Sequence, residues 1–446
     1  MKYFFETYGC QMNIAESAAM EIVLKERGWE AAHCSIADGT APGDANLVII
    51  NTCAVRATAE QRVMGRIAEY AAIKKRVVST SSTTGSASVV EPVETTLPPK
   101  HGFTLLVAGC MASRLGEGLK EKAPVVDYVM GTDSRVLFAE ILGQIEQGLP
   151  APANGIFQSH EEKPVFSFSE LHYENESPYK AFVPIMHGCN NFCSYCIVPY
   201  VRGREVSRSP GSILDELHVL AEKGVCEVTL LGQNVNSYCR EWNDASDFPS
   251  LLVKIAEALE GTSIKRLRFI SSHPKDLSDE TIAVLARYSI FCRSLHLPVQ
   301  HGSNRILAAM NRHYTGEDYL ALVKKLRTAM PDINLTTDIL IGFPGETEED
   351  VQETLALMEE VRFGSAFMYH YNPREGTAAY ALEGRIPDAV KKERLGRIIA
   401  LQKRHTQEHL RQRLDKSKNG SRENVLIEGI SKENADELIG RLDSEE

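Results

Sequence analysis

Three cysteines within eight residues, Cys189, Cys193 and Cys196, follow a predicted strand, Lys180–Met186, and any fold of this chain must leave them side by side. They are separated by three and two residues. A closed zinc site needs a fourth ligand and usually arises from two C-x-x-C pairs, and the sequence holds no second pair. A 4Fe–4S cluster takes three thiolates and leaves one iron open to a chelating ligand. The spacing favours such a cluster, with structural zinc and plain thiols as the alternatives.

The chain around this motif alternates. Lys2–Gly9, Asn46–Thr52 and Thr104–Gly109 read as strands, followed by helical patterns near 13–27, 56–75 and 112–122. That order predicts an open parallel sheet with helices on its faces, in a domain spanning 1–147. From Lys180 the alternation resumes with six strand candidates: Lys180–Met186, Glu227–Leu231, Arg266–Ile270, Ser294–Val299, Asn334–Ile341 and Ser365–Tyr371. Six βα units predict an α/β barrel or partial barrel over 179–403, with functional groups at the carboxyl ends of its strands. The irregular stretch 148–178 reads as a linker. Between Ser79 and Pro99, 14 of 21 residues are Ser, Thr, Gly or Pro, which reads as an inserted surface loop or disordered segment.

Placement sorts the other seven of the ten cysteines. Cys10, Cys53 and Cys110 each close a predicted strand of the first domain, and in an open parallel sheet those ends gather along one edge. They can converge on a second cluster or sit as strand-end core thiols. Cys34, Cys226, Cys239 and Cys292 have no comparable placement, and Cys226 and Cys292 read as small buried residues.

Charge bounds the partners. The net charge is −11, which would not by itself recruit nucleic acid or an anionic membrane. Residues 391–422, however, carry eleven Lys/Arg against three acids, a local +8 that leaves −19 elsewhere. This basic segment reads as a solvated helix or as a nucleic-acid contact. No run approaches 18 apolar residues and the N-terminus lacks a signal-peptide pattern, so no membrane partner and a cytoplasmic address are expected.

The C-x-x-x-C-x-x-C after a barrel's first strand resembles the radical S-adenosylmethionine (SAM) superfamily. Thr7-Tyr8-Gly9-Cys10-Gln11-Met12-Asn13, Asn51-Thr52-Cys53 and Gly109-Cys110-Met111 are similar to the N-terminal domain of the methylthiotransferases. Ile197-Val198-Pro199-Tyr200-Val201-Arg202-Gly203-Arg204-Glu205 and Asp338-Ile339-Leu340-Ile341-Gly342-Phe343-Pro344-Gly345-Glu346-Thr347 extend the resemblance, which spans residues 3 to 440. Around Cys10 it is nearest to the branch that modifies isopentenyladenosine at position 37 of tRNA. Branches acting on threonylcarbamoyladenosine tRNA or a ribosomal-protein aspartate, and a non-catalytic iron–sulfur or RNA-binding relative, are the alternatives.

The resemblance implies two 4Fe–4S clusters, one on Cys189, Cys193 and Cys196 that binds SAM, and an auxiliary one on Cys10, Cys53 and Cys110 that presents sulfur. It implies reductive cleavage of SAM, hydrogen removal from carbon 2 of the adenine and insertion of a methylthio group. It also implies a tRNA substrate, a flavodoxin- or ferredoxin-like electron donor and a monomer. Tyr195, Gly232, Gln233, Asn234, His296, Gln300 and Asp338 are the candidate SAM or substrate contacts, with local turn residues or satisfied buried polar groups as the competing reading. Arg374 could meet a carboxylate or phosphate, or pair with a loop acid.

Two departures stand out. The insert at 79–99 lengthens a loop between the auxiliary cysteines, which costs only about 0.6 kcal/mol per doubling of length. The family ends in a small RNA-binding β-barrel of the TRAM type, whereas 404–446 supplies the end of the basic helix and only Asn424–Ile430 and Glu437–Gly440 as strands. An incomplete, TRAM-like barrel segment is expected there. The string His405-Thr406-Gln407-Glu408-His409 matches a zinc-peptidase pattern but lies in the basic helix without an evident third ligand.

Overall fold

The computed structural model describes residues 1–32, 44–54, 57–81, 102–132, 137–152, 156–157, 179–242, 246–431 and 433–444. Cys34 and nearly all of the predicted insert at 79–99 lie outside them, as does most of 148–178. Two compact units divide the chain: Met1–Glu176 with Ile197–Val206, and Ser177–Cys196 with Ser207–Glu446. The segment Ile197–Val206, expected within the barrel domain, thus counts with the first unit.

The first unit is a parallel sheet of β1 (Lys2–Thr7), β2 (Glu30–Ala31), β3 (Leu47–Thr52), β4 (Thr104–Gly109), β5 (Tyr128–Met130) and β6 (Ile156–Phe157), in the order β2-β1-β3-β4-β5-β6. The helices α1 (Gln11–Glu26), α2 (Ala57–Ser81), α3 (Cys110–Leu115), α4 (Glu117–Lys122), α5 (Phe138–Glu146) and α6 (Val198–Arg202) belong to it. Every residue of β3 is buried. Because side chains alternate, Val48 and Ile50 pack with Val63, Ile67 and Tyr70 of α2, while Leu47 and Ile49 pack with Met20 and Leu24 of α1 and with Ile141 and Leu142 of α5. A strand buried on both faces reads as a continuous apolar run, which is why β3 was legible. The order reverses between β1 and β3, the switch point where open parallel sheets leave a crevice at their carboxyl edge.

Several boundaries differ from expectation. β6, inside the expected linker, adds a sixth strand beside β5. Residues 79–81 complete α2 rather than beginning a loop. The single helix expected at 112–122 is two, broken at Gly116, whose φ of +48° suits glycine.

In the second unit, β7 (Lys180–Pro184), β10 (Glu227–Leu231) and β11 (Arg266–Phe269) form one parallel sheet, and β12 (Ser294–His296), β13 (Asn334–Ile341) and β14 (Ser365–His370) another. A parallel bridge between Leu267 and Phe291 joins β11 to the residues entering β12. Six parallel strands therefore follow one another in chain order as a partial barrel. The two-residue strands β8 (Met186–His187) and β9 (Val206–Ser207) flank the cysteine segment. Outside the strands run α7 (Pro210–Glu222), α8 (Phe248–Ala258), α9 (Asp279–Arg287), α10 (Asn304–Ala309), α11 (Gly316–Ala329) and α12 (Glu348–Val361). Side chains of Ser209, Asp247, Ser278, Thr315 and Thr347 cap α7, α8, α9, α11 and α12. β12 is shorter than the expected Ser294–Val299 because Pro298 has no N–H to give the ladder. The chain rejoins β13 at Gln300, which bridges Ile339.

The basic segment is one helix, α13 (Asp388–Lys418), followed by an antiparallel hairpin of β15 (Val425–Ile430) and β16 (Leu438–Leu442). The hairpin is fastened to the amino ends of the barrel strands. Tyr179 Oη donates to the Glu428 carbonyl at 3.0 Å, Arg266 to the Arg441 carbonyl at 3.0 Å, and Asn334 Nδ2 to the Ser444 carbonyl at 2.7 Å. Arg441 pairs with Glu227 and Glu428. The two expected TRAM-like strands thus cover the end of the barrel opposite its functional edge.

Candidate functional site

In the first unit the three cysteines end adjacent strands. Cys10 follows β1 and caps α1 in extended conformation, Cys53 follows β3, and Cys110 follows β4 as the first residue of α3. Cys53 and Cys110 are buried and Cys10 is exposed. Two wholly buried asparagines tie the strand ends together. Asn13 Nδ2 donates to Asn51 Oδ1 at 3.2 Å and to the Thr52 carbonyl at 3.1 Å, and Asn51 Nδ2 returns a bond to the Asn13 carbonyl at 2.9 Å. Asn13 Oδ1 also accepts from the Cys10 N–H at 3.2 Å. This pair requires the neighbouring glycines. A Cβ on Gly9 would lie 2.2 Å from Asn13 Oδ1, and one on Gly109, whose φ is +92°, would lie 2.4 Å from Asn51 Oδ1.

Charge joins the three sulfurs. Burial pushes the Cys110 thiol up to about 12; Arg202 draws it down, while Glu16, Cys53 and Cys10 push it up. Arg202 Nη1 donates to Glu16 Oε1 at 2.5 Å, and the backbone leading to it packs as Ile197 and Val201 against Ala54 and Cys110. A thiol this reluctant to ionise is a poor nucleophile by itself, and metal coordination is what makes such a group a thiolate.

In the second unit, Cys189, Cys193 and Cys196 lie on the segment after β8. The turn after α10 clamps this segment. Ser194 donates from N and Oγ to the carbonyls of Met310 and Ala309, at 3.0 and 2.8 Å, and Asn311 Nδ2 donates to the Phe192 carbonyl at 3.0 Å. The Cys196 N–H donates to the Cys193 carbonyl at 2.9 Å, and Arg312 Nη1 reaches Cys193 Sγ at 3.3 Å. Tyr195 packs among Ile306, Met310, Phe343 and Tyr371.

The remaining candidates separate into groups. Gly232 has a packing reason of its own: a Cβ there would meet Met186 Cγ at 2.6 Å. Asn234 Nδ2 donates to Asp276 Oδ2 at 2.7 Å, which makes it in part a local anchor. Gln233 Oε1 and Asn234 Oδ1 are buried without hydrogen-bond partners among the described residues, and so are both amide atoms of Asn236, Ser272 Oγ and His273 Nε2. Five residues at the carboxyl ends of β10 and β11 therefore offer unused polar atoms, as a site for a polar ligand should. His296 and Asp338 come together, Nε2 to Oδ2 at 3.5 Å, with His296 Nδ1 2.9 Å from Thr336 Oγ1. Gln300, with φ of +71°, bonds through its backbone to Asp338 and Leu340. Arg374 closes a turn by accepting on its carbonyl from Thr377 Oγ1 at 2.7 Å.

Sequence reasoning missed Asn236, Ser272, His273, Arg312 and Phe367. Ala366 and Met368 pack on the core, so the alternation of β14 turns Phe367 to the face that carries Asp338, and it is 54% exposed. Its ring centroid is 5.8 Å from that of His296, nearly perpendicular to it. The His405–His409 string is spent on α12, His405 on Glu359 at 3.0 Å and Glu408 on Arg362.

The donor chemistry suits iron–sulfur clusters: three cysteine thiols at the carboxyl ends of neighbouring strands, and three more on the segment that follows the barrel's first strand. No three His, Cys, Asp or Glu side chains among the described residues are drawn together tightly enough to hold one metal ion. Three thiolates of a cubane need not be, since each binds a different iron. No helix among the described residues is long and apolar enough to cross a membrane.

Residues 183–358 match the Radical SAM superfamily and residues 2–131 the Uncharacterized protein family UPF0004. Among solved structures, the chain is similar to the radical SAM methyltransferase TsrM from Kitasatospora setae, with TM-score 0.59 and 16% identity over 85% of this chain and 74% of that one. The cobalamin-dependent SAM radical enzyme OxsB gives 0.56 at 11% identity, covering 90% and 56%. These two likenesses bear on the fold alone. Among curated proteins, the tRNA-2-methylthio-N(6)-dimethylallyladenosine synthase of Treponema pallidum is 48% identical over 99% of this chain and 91% of its own length. Those of Treponema denticola and Geobacter sulfurreducens are 46% and 41% identical over 100% and 99% of this chain, and 92% and 90% of their own. Identity of this extent over nearly the whole chain shows that it belongs to the tRNA-2-methylthio-N(6)-dimethylallyladenosine synthase family of radical SAM enzymes.

Proposed function

We propose that this chain methylthiolates carbon 2 of N6-isopentenyladenosine at position 37 of tRNA, with one 4Fe–4S cluster on Cys189, Cys193 and Cys196 and a second, sulfur-bearing one on Cys10, Cys53 and Cys110. As a radical SAM enzyme it takes SAM and a 4Fe–4S cluster, and its family acts on tRNA. The observation that carries the finer reading is the pair of three-thiol sets, one at the carboxyl ends of three parallel strands and one on the segment that follows the barrel's first strand.

SAM on the first cluster supplies, after one-electron reduction, the radical that an aromatic C–H demands. The chain's own task is to hold and shield. The buried polar atoms of Gln233, Asn236, Ser272 and His273 suit the charged and hydroxyl groups of SAM. Phe367 offers a face on which a flipped-out adenine can stack, beside His296 and Asp338, whose polar atoms suit its ribose. The electron comes from a flavodoxin- or ferredoxin-like donor.

Mass spectrometry of nucleosides from tRNA incubated with the reconstituted chain, SAM and reductant tests the reading. The expected product is 2-methylthio-N6-isopentenyladenosine. Its absence, or a methylthio group on threonylcarbamoyladenosine instead, overturns the substrate assignment.

A further inference from the structure

We infer that Arg312 raises the reduction potential of the cluster proposed on Cys189, Cys193 and Cys196, by giving the Cys193 sulfur a charged hydrogen bond; the inference rests on that cluster reading.

Arg312 is 4% exposed. Each of its nitrogens has one use: Nη1 reaches Cys193 Sγ at 3.3 Å, Nη2 donates to the Pro298 carbonyl at 2.9 Å, and Nε donates to Tyr314 Oη at 3.0 Å. Tyr314 is itself fixed by the Val299 carbonyl, 2.7 Å away. Among the described residues, the other buried arginines each have a glutamate: Arg202 has Glu16, Arg208 has Glu216, Arg268 has Glu227 and Arg394 has Glu346. Arg312 has no carboxylate within ion-pair distance among them. A buried cation without an anion is costly, and the sulfur of Cys193 becomes that anion when it ligates iron.

The backbone is bent to bring this about. Asn311 and His313, on either side of Arg312, have φ of +59° and +58°, a region that costs non-glycine residues energy. The same turn clamps the cysteine segment through Asn311. It therefore fixes the loop and delivers the cation together.

A cluster gains one negative charge on reduction. A fixed positive charge and a hydrogen bond at a ligand sulfur favour the reduced state, and both are recognised controls of cluster potential. A donor of given strength then reduces a larger fraction of the protein.

The test uses the full-length chain carrying C10A, C53A and C110A, so that a single cluster is read, and follows its reduction by potentiometric EPR. R312Q should lower the midpoint enough to change the reduced-to-oxidised ratio at least tenfold, about 59 mV for a one-electron couple, with iron content unchanged. R312K, which keeps the charge, should shift it less. An unchanged midpoint in R312Q overturns the inference, and so does a lysine variant that falls as far as the glutamine one. If R312Q takes up no iron, the parent with 15N-labelled arginine decides. Its reduced cluster should show a 15N coupling by pulsed EPR, and absence of that coupling overturns the inference. A parent that neither binds iron nor cleaves SAM would instead sink the cluster reading itself.

Discussion

Arg202 and Glu16 are 186 residues apart in sequence and share a hydrogen bond of 2.5 Å, with side chains 5% and 1% exposed. The pair binds the Ile197–Val206 segment to α1 beside Cys10 and Cys110. Removing one partner of such a pair strands the other charge in the interior. R202M should therefore destabilise the first unit by about 3–5 kcal/mol, and E16M/R202M should regain most of that loss. Denaturant unfolding of the two variants measures it, and a double variant no better than the single one refutes the pairing argument.

Two independent cysteine sets should give separable losses. The reconstituted chain should bind about eight irons if each set holds a 4Fe–4S cluster. C189A/C193A/C196A should keep roughly four irons and lose SAM cleavage. C10A/C53A/C110A should also keep roughly four, continue to cleave SAM, and yield no methylthiolated nucleoside. Cleavage that survives loss of the first set, or methylthiolation that survives loss of the second, would refute the assignment of that set.

The strands and the six cysteines were legible because both rest on local signals. The run Leu47–Val48–Ile49–Ile50, short and rich in β-branched residues, reads as a strand buried on both faces, and the residues after it then fall at the carboxyl edge. What escaped depends on contacts distant in sequence. Arg312 belongs to no periodic pattern, and its meaning comes from Cys193, 119 residues away. Phe367 looks like any apolar strand residue until the register with Asp338 decides its face. Gly232 reads from sequence as a candidate SAM contact, and the crowding by Met186 that also demands glycine there is visible only in the fold. The two-residue β6 is too short to carry a pattern at all.

His273 gives the fold a pH dependence. Burial, with Arg312, Lys275 and His313 adding positive charge, drives its pKa down to about 2, so the folded chain holds it neutral. The unfolded chain takes up a proton below about 6.5. Stability from this group is complete above that value and falls as the pH drops below it, by about 1.4 kcal/mol between pH 7.5 and 5.5. H273N should remove that part of the decline. Parallel melts of the two chains across this range check it, and identical slopes would mean His273 is already charged in the fold.

Phe367 should matter to substrate and not to SAM. Stacking of a base on an aromatic ring is worth about 1–3 kcal/mol, so F367A should raise KM for tRNA by roughly 5- to 150-fold. F367W should retain most of the affinity. Tritium- or mass-detected SAM cleavage without tRNA should be unchanged in both. An alanine variant with normal KM would show that the exposed ring serves something other than the base.

The basic helix is less free than its composition suggests. Arg394 and Arg397 engage Glu346 and Glu348, Arg404 engages Glu359, and Arg413 engages Glu423. Lys392, Lys403 and Arg411 are exposed and have no ion pair among the described residues. At 100° per residue the three fall within an arc of about 100° on α13. If that arc meets tRNA, each phosphate it neutralises steepens the fall of log affinity with log salt by about 0.7 to 0.9. Neutralising Lys392, Lys403 and Arg411 together should flatten the slope by about two to three. Neutralising Arg404 and Arg413 should leave it nearly unchanged, because their charge is already met within the protein. Filter binding of tRNA over a salt series separates the two. Equal slopes in both variants would mean that α13 does not touch the RNA backbone.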